Sequence, residues 1–177
     1  MKILALIGSP RKGSNTDILV DQFLEGAQTN GHTSEKRYLY KYEISPCIDC
    51  RKCKSGDLVC VIDDGMKEIY PQMDAADLII FGTPTYWFGP TAMMKLVIDR
   101  MRPYVANKKI QGKKAVVITP AADGPKVCGP LIEMFLMTFD YLGIEFAGKI
   151  FGTAYERKEI LNNKKELQKA YDLGASM

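Results

Sequence analysis

The sequence alternates five short apolar runs with longer amphipathic stretches, and few folds are compatible with that alternation. The first run, residues 2–8, predicts a buried strand that ends in glycine. Further strands are predicted at residues 33–40, 77–82, 113–119 and about 143–151. Helices are predicted between and after them, at residues 14–29, 66–75, 90–102, 130–142 and 157–173. Strands that alternate with helices form a parallel sheet with helices on both faces, so we expect an α/β fold.

Length and composition indicate one domain. The chain has 177 residues, of which 46% are apolar, enough for a sizeable core. We therefore expect a single domain over residues 1–177, with a cysteine-rich insertion at about residues 45–64.

The net charge of +3 is too small to indicate a nucleic-acid or membrane partner. No apolar run approaches the roughly 18 residues of a membrane span or resembles a signal peptide, so a cytoplasmic protein with reduced cysteines is expected.

The loop after the first strand predicts a phosphate site. A helix N-terminus offers unpaired N–H groups and a partial positive charge to an anion. The loop adds hydroxyl, amide and guanidinium groups from Ser9, Arg11, Ser14, Asn15 and Thr16. Two other phosphate loops are excluded, because Ser14 stands where a Walker loop needs lysine and Pro10 where a dinucleotide loop needs glycine. A loop for the terminal phosphate of a mononucleotide remains.

The loop after the third strand, residues 82–90, carries three consecutive aromatic residues. Tyr86, Trp87 and Phe88 cannot all point into one core, so at least one is expected to face a cleft or a partner. A planar ring system would use such a loop, with backbone N–H groups for its heteroatoms and aromatic faces for stacking. Trp87 and Phe88 fit packing or a subunit interface equally well.

Together, these two loops resemble the flavodoxin-like NADPH-dependent FMN reductase family. The matching elements are the run from Gly8 to Thr16, and Pro84-Thr85-Tyr86 followed by Ala92-x-x-Lys95-x-x-Ile98-Asp99-Arg100. The likeness covers about residues 1–150 and implies a doubly wound, five-stranded flavodoxin-like sheet of order 2-1-3-4-5 that binds FMN. It implies that the phosphate lies at residues 9–16 and the isoalloxazine ring against residues 84–88. Ala121, Asp123 and Gly124, after the fourth strand, would be further ring contacts.

Four of the five cysteines follow the compact spacing Cys47-x2-Cys50-x2-Cys53-x6-Cys60. Three thiolates at two-residue gaps can wrap one corner of a cubane cluster, with the fourth supplied locally. A structural zinc site usually pairs two Cys-x2-Cys knuckles about a dozen or more residues apart, and the second knuckle is missing here. The segment resembles the iron–sulfur flavoprotein branch of the same family, in which the equivalent cysteines hold a [4Fe–4S] cluster. Zinc and empty or oxidised thiols stay open as alternatives.

The resemblance implies an FMN-dependent oxidoreductase in which a [4Fe–4S] cluster passes electrons to or from FMN. Flavin N5 would perform the chemistry, so no catalytic side chain is expected. The family also implies a homodimer or homotetramer, with NAD(P)H or ferredoxin as electron donor and a quinone, an oxygen species or another small molecule as acceptor. Three alternatives are a cluster-free NAD(P)H-dependent FMN or quinone reductase, a non-enzymatic FMN carrier or redox sensor, and a flavin-free nucleotide-binding regulator.

Overall fold

The computed structural model describes all 177 residues, and its centre is one five-stranded parallel sheet. The strands are β1 (Lys2–Ile7), β2 (Thr33–Tyr38), β3 (Leu78–Gly82), β4 (Lys114–Ala121) and β5 (Glu145–Thr153). They lie in the order β2-β1-β3-β4-β5, and every neighbouring pair is parallel. The predicted α/β fold and strand order are confirmed. The order reverses between β1 and β3, so a crevice is expected at their carboxyl ends.

Six helices connect and flank the strands. They are α1 (Asn15–Gln28), α2 (Met66–Ala75), α3 (Ala92–Asp99), α4 (Tyr104–Asn107), α5 (Gly129–Leu142) and α6 (Lys164–Ala175). None of them combines the length and apolar character that crossing a lipid bilayer requires.

Two predicted helices had wrong boundaries. The helix predicted over residues 90–102 runs only from Ala92 to Asp99, and Pro103 then starts the short α4 instead of closing α3. Proline is tolerated at a helix start, because the first N–H groups have no helical partner there. The helix predicted from residue 157 begins at Lys164, where the side-chain oxygen of Asn163 caps it by accepting from the Glu166 N–H at 3.3 Å.

The core lies on both sides of the sheet, because successive strand residues point to opposite faces. Leu4 and Leu6 of β1 pack with α2, α3 and α5, whereas Ile3, Ala5 and Ile7 pack with α1 and α6. This two-sided burial explains why the strands are continuous apolar runs instead of alternating ones. The predicted placement of helices on both faces is also confirmed.

Helices α1 and α6 touch through their backbones. A Cβ atom added at Gly26 would lie 2.1 Å from the Tyr171 carbonyl oxygen, and one added at Gly174 would lie 1.9 Å from that of Phe23. Only glycine permits this approach at either position. The contact fixes α6, and with it residues 154–163 between β5 and α6, against the start of α1.

Candidate functional site

A cleft of about 510 Å³ opens at the carboxyl ends of the strands, beside the point where strand order reverses. Its volume lies within the roughly 300–1,000 Å³ typical of small-molecule sites. The lining comes from the loops after β1, β3, β4 and β5, and its 14 residues are Ser9, Arg11, Ser14, Asn15, Thr16, Pro84, Thr85, Tyr86, Trp87, Pro120, Ala121, Ala122, Ala154 and Tyr155. The structure thus brings ten of the thirteen sequence-predicted flavin contacts into one cleft.

The first turn of α1 offers unpaired N–H groups to this cleft. The Ile18 N–H is the first to bond within the helix, to the Ser14 carbonyl at 2.9 Å, and the N–H groups of Asn15, Thr16 and Asp17 have no backbone partner. Ser14 is extended, and its hydroxyl makes no cap bond to its own helix. Free amides at the positive end of a helix dipole form an anion site.

The loop between β1 and α1 is held in shape by its own side chains. Gly13 adopts a left-handed φ of +67° and donates its N–H to the buried Asp17 carboxylate at 2.8 Å. Asp17 also accepts from the Lys36 ammonium at 2.8 Å. Burial opposes the charge on Lys36, but its hydrogen bonds to carboxylates raise its pKa well above the ordinary value. The Asp17 charge is therefore compensated below the loop and does not face an incoming anion unpaired.

Several predicted phosphate donors also hold the segment after β5. The Asn15 side chain donates to the Glu156 carbonyl at 2.8 Å and accepts from the Ile160 N–H at 3.3 Å. An Arg11 terminal nitrogen donates to the Tyr155 carbonyl at 3.3 Å. The side chain of Asn15 is thus committed to neighbouring backbone, and its free N–H is the group it offers the cleft.

The loop after β3 is an extension of the sheet. The Thr83 N–H donates to the Ile118 carbonyl at 3.0 Å, and the Thr85 N–H donates to the Pro120 carbonyl at 3.0 Å. The hydroxyls of Thr85 and Thr119 are 2.9 Å apart and hydrogen-bonded. The wall at Pro84 and Thr85 is therefore fixed to β4 by strand-type bonds.

The three aromatic residues form a tight turn at the rim of the cleft. Tyr86 and Gly89 exchange two N–H···O bonds of 2.8 and 3.0 Å, and Trp87 and Phe88 between them have φ values of +49° and +65°. Such turns favour asparagine and glycine, because other side chains are strained at positive φ. Trp87 is 96% exposed and Phe88 56% exposed, so neither packs in the core. Tyr86 and Trp87 line the cleft, whereas Phe88 does not.

Two further predicted contacts, Asp123 and Gly124, also lie outside the lining. Gly124 is buried with φ +71°, and its carbonyl accepts from the Cys128 thiol at 3.6 Å. Sequence reasoning missed Ala154 and Tyr155 instead. The signal was available, because they follow β5 at the same sheet edge as the other loops, but β5 extends to Thr153 and was predicted to end near residue 151.

The cysteine segment begins and ends at one buried ion pair. Arg100 lies at the end of α3 and donates to both carboxylate oxygens of Asp64, at 2.6 and 3.1 Å. Its guanidinium also donates to the Ser45 carbonyl at 2.8 Å, and the Ser45 N–H donates to Asp64 at 2.8 Å. Burial raises the pKa of Asp64, but the hydrogen bonds from Arg100, Ser45 and Met66 outweigh it and lower the pKa overall. The pair joins the two ends of the segment.

The four clustered cysteines line one small cavity between this segment and the residues that follow α3. The other residues around the cavity are Ile48, Arg51, Val61, Ile62, Arg100, Arg102 and Pro103. All cysteines are unpaired thiols, and burial, followed by the nearby Cys60, raises the pKa of Cys53. No three Cys, His, Asp or Glu side chains are gathered tightly enough to hold a single metal ion. Soft sulfur donors with an apolar and cationic lining nevertheless fit an anionic iron–sulfur cluster better than any oxygen-ligated metal.

Cys128, outside the segment, is fully buried, as expected for a small apolar residue. Its sulfur lies 3.5 Å from the Thr85 hydroxyl, behind the cleft wall and away from the other four thiols.

Comparison with known proteins agrees with this arrangement. The model of the NADPH-dependent FMN reductase family matches residues 1–154. The Bacillus subtilis protein YwqN, named as an NAD(P)H-dependent FMN-containing oxidoreductase, is 32% identical over 178 residues, which cover 96% of this chain and 94% of that protein. An iron-sulfur flavoprotein of Methanosarcina thermophila is 41% identical over 100 residues, which cover 56% of this chain and 52% of the relative.

A solved structure shows the same fold. The NAD(P)H:quinone oxidoreductase from Methanothermobacter marburgensis superposes with a TM-score of 0.75 at 20% identity, covering 99% of this chain and 95% of that one. The family match over residues 1–154 and the parallel sheet of order 2-1-3-4-5 together assign the chain to a family. The chain belongs to the NADPH-dependent FMN reductase family, and it is a flavin-dependent oxidoreductase with a flavodoxin-like fold.

Proposed function

We propose that the protein binds FMN in the cleft and transfers electrons between this flavin and a [4Fe–4S] cluster held by Cys47, Cys50, Cys53 and Cys60. The observation that carries the proposal is the pairing of free α1 amides with a cleft of suitable size at the reversal of strand order. Bound FMN would supply hydride and single-electron chemistry at its ring.

The phosphate of FMN would be bound at the first turn of α1. The N–H groups of Asn15 and Thr16 are free to donate, and the hydroxyls of Ser9 and Thr16 line the same end of the cleft. Arg11 adds a positive charge from an exposed position. Because Asp17 is neutralised by Lys36, the site keeps the positive field that a dianion requires.

The ring of FMN would lie between the loop after β3 and the loop after β4. Pro84, Thr85 and Tyr86 form one wall, and Ala121 and Ala122 leave space on the other side. Fixed backbone on the β3 side would orient the ring, while small side chains let it approach the sheet edge. Phe88, Asp123 and Gly124 stay predicted contacts, although they do not line the cleft.

NAD(P)H is the proposed electron donor, in line with the name of the Bacillus subtilis relative. The cluster is supported by the names of several relatives as iron-sulfur flavoproteins and by the common cavity of the four thiols. A homodimer or homotetramer is also proposed, because Trp87 stands almost wholly exposed at the rim of the cleft, where a second subunit would cover it.

The test is a spectrum and an iron assay on protein purified without oxygen and reconstituted with iron and sulfide. We expect flavin bands plus a broad shoulder near ~400 nm, and NAD(P)H oxidation with a quinone or oxygen as acceptor. Cys53→Ser should lose iron and sulfide but keep FMN, because no cleft residue is a cluster ligand. Cys128→Ser is the matched control and should keep its iron.

Three results would contradict parts of this proposal. Wild-type protein without iron after reconstitution would exclude the cluster and leave a cluster-free FMN reductase. Flavin without NAD(P)H turnover would indicate an electron carrier. A colourless protein that rejects added FMN would refute the cleft assignment.

A further inference from the structure

Two guanidinium groups beside the cysteine cavity each contain a buried nitrogen without a hydrogen-bond partner. These are the Nε atoms of Arg100 and Arg102, and both residues line the cavity. Arg100 is only 1% exposed, so water does not substitute for the missing acceptor. Leaving a buried donor unsatisfied is costly, and such groups are rare in folded proteins.

The hydrogen bonds and ion pairs that these two arginines form do not involve their Nε atoms. Arg100 binds Asp64 and the Ser45 carbonyl through its two terminal nitrogens alone. Arg102 pairs with Asp49 through Nη2 at 2.8 Å. Each guanidinium is therefore fixed through terminal nitrogens by a carboxylate, its Nε–H is left without an acceptor, and both residues line the cavity of the four thiols.

The charges around the cavity favour an anionic occupant. Three guanidiniums, those of Arg51, Arg100 and Arg102, line it, and two carboxylates, Asp49 and Asp64, pair with them. Three positive and two negative groups leave one net positive charge. It lies beside the four cysteine thiols, which become thiolates when they bind iron. An iron–sulfur cluster with four thiolate ligands is an anion and gains one more negative charge on reduction.

We propose that Arg100 and Arg102 donate their Nε–H groups to sulfur atoms of the cluster or of its cysteine ligands, and thereby raise the reduction potential of the cluster. The inference rests on the proposed function, since it requires the cluster. Hydrogen bonds to sulfur and nearby positive charge stabilise the more negative, reduced state most. Both arginines are thus positioning and tuning residues, and neither ligates iron.

The test is the midpoint potential of the cluster, followed by electron paramagnetic resonance during an anaerobic titration with dithionite. Arg102→Gln removes one Nε–H and one charge. Arg100→Gln combined with Asp64→Asn removes the other Nε–H without leaving a buried carboxylate unpaired. We expect each variant to retain FMN and to lower the potential by at least about 59 mV, a tenfold change in the one-electron equilibrium.

Arg51→Gln is the matched control. Arg51 lines the same cavity and pairs with the same Asp49 as Arg102, but its side chain is 69% exposed and its Nε already donates to that carboxylate. We expect a shift less than a third as large. Iron content is measured in every variant, so that loss of cluster is distinguished from a change in potential.

The outcomes separate this inference from the proposed function. If reconstituted wild-type protein holds no iron, both fail together. If it holds iron and the arginine variants keep the wild-type potential, only this inference fails. An equal shift in Arg51→Gln would also overturn it, because general charge would then explain the result. If the double variant does not fold, Arg102→Gln decides alone.

Discussion

The cleft and the cysteine cavity lie in one domain-sized fold but are built in different ways. The cleft walls continue β3 and β4 through backbone hydrogen bonds, and its phosphate end is the first turn of a 14-residue helix. The cysteine segment, residues 45–64, has a single short 3₁₀ turn and left-handed backbone at Asp49, Arg51, Gly56 and Leu58. The sheet therefore fixes the first site through its own backbone bonds, whereas the second is attached mainly through side-chain ion pairs, above all that of Arg100 with Asp64.

The largest effect is expected from removing that ion pair. Asp64→Ala leaves Arg100 buried without its partner, so the free energy of unfolding should fall by about 3–5 kcal/mol in urea denaturation. Amide exchange in residues 45–64 should accelerate more than exchange around the cleft. Asp99→Ala, which removes the exposed pair with Lys95, is the control and should cost about 0.3–0.5 kcal/mol. Equal losses of unfolding free energy would mean that the Arg100–Asp64 pair stabilises the fold no more than a surface pair does.

The same bond predicts sensitivity to acid. The pKa of Asp64 is lowered in the folded protein, so the carboxylate stabilises the fold at every pH above its unfolded pKa of about 3.9. This stabilisation is lost as the pH falls through the folded-state value. Unfolding measured from pH 6 downward should show a steeper loss for wild type than for Asp64→Asn, and parallel curves would contradict the assignment.

An intermediate effect is expected in the cleft, from the loss of the Arg11 side chain. Arg11→Ala should weaken FMN binding by on the order of 1.5–3 kcal/mol, because a charge-assisted bond to the phosphate is lost. Riboflavin, which lacks the phosphate, should bind the variant as it binds wild type in fluorescence titrations. Lys12→Ala is the control, since the Lys12 ammonium lies 4.9 Å from the centre of the Tyr38 ring, where the aromatic face attracts it. Equal losses for both flavins would show that Arg11 does not bind the phosphate.

The smallest effect is expected from changes in the turn at the rim of the cleft. Replacing Trp87→Asn and Phe88→Gly puts residues that tolerate positive φ into the turn, so we expect the free energy of unfolding to rise by about 1 kcal/mol. Assembly measured by light scattering should weaken if the exposed aromatics form a subunit contact. A less stable variant would show that these side chains are packed in the isolated subunit.

Sequence patterns predicted the parts of the molecule that depend on local rules. Apolar runs such as residues 2–8 predicted the strands, and the polar residues 14–16 predicted the start of α1. The start of α6 was missed, because the charged residues after Arg157 have helical composition while the cap at Asn163 depends on side-chain geometry. Ala154 and Tyr155 were missed because β5 was predicted to end near residue 151, whereas it extends to Thr153.

These sequence patterns did not predict contacts between residues that are distant in the chain. The spacing of the cysteines predicted a common site, but the buried partnership of Arg100 with Asp64 joins residues 36 positions apart on separate elements. Whether Trp87 is buried or exposed was equally open, because it depends on the two-residue turn that Tyr86 and Gly89 close. Roles for individual flavin contacts remain predictions until the binding experiments are done.

The glycine-mediated contact between α1 and α6 has a consequence for the order of events during synthesis. The ribosome releases β1 and the phosphate loop first, but Tyr155 and the Glu156 carbonyl that holds Asn15 emerge only after all five strands. Docking of α6 at Gly26 and Gly174 then brings that late segment onto the early one. A nascent chain stalled before α6 would therefore present an incomplete cleft, and the cleft is completed only when the last helix has docked.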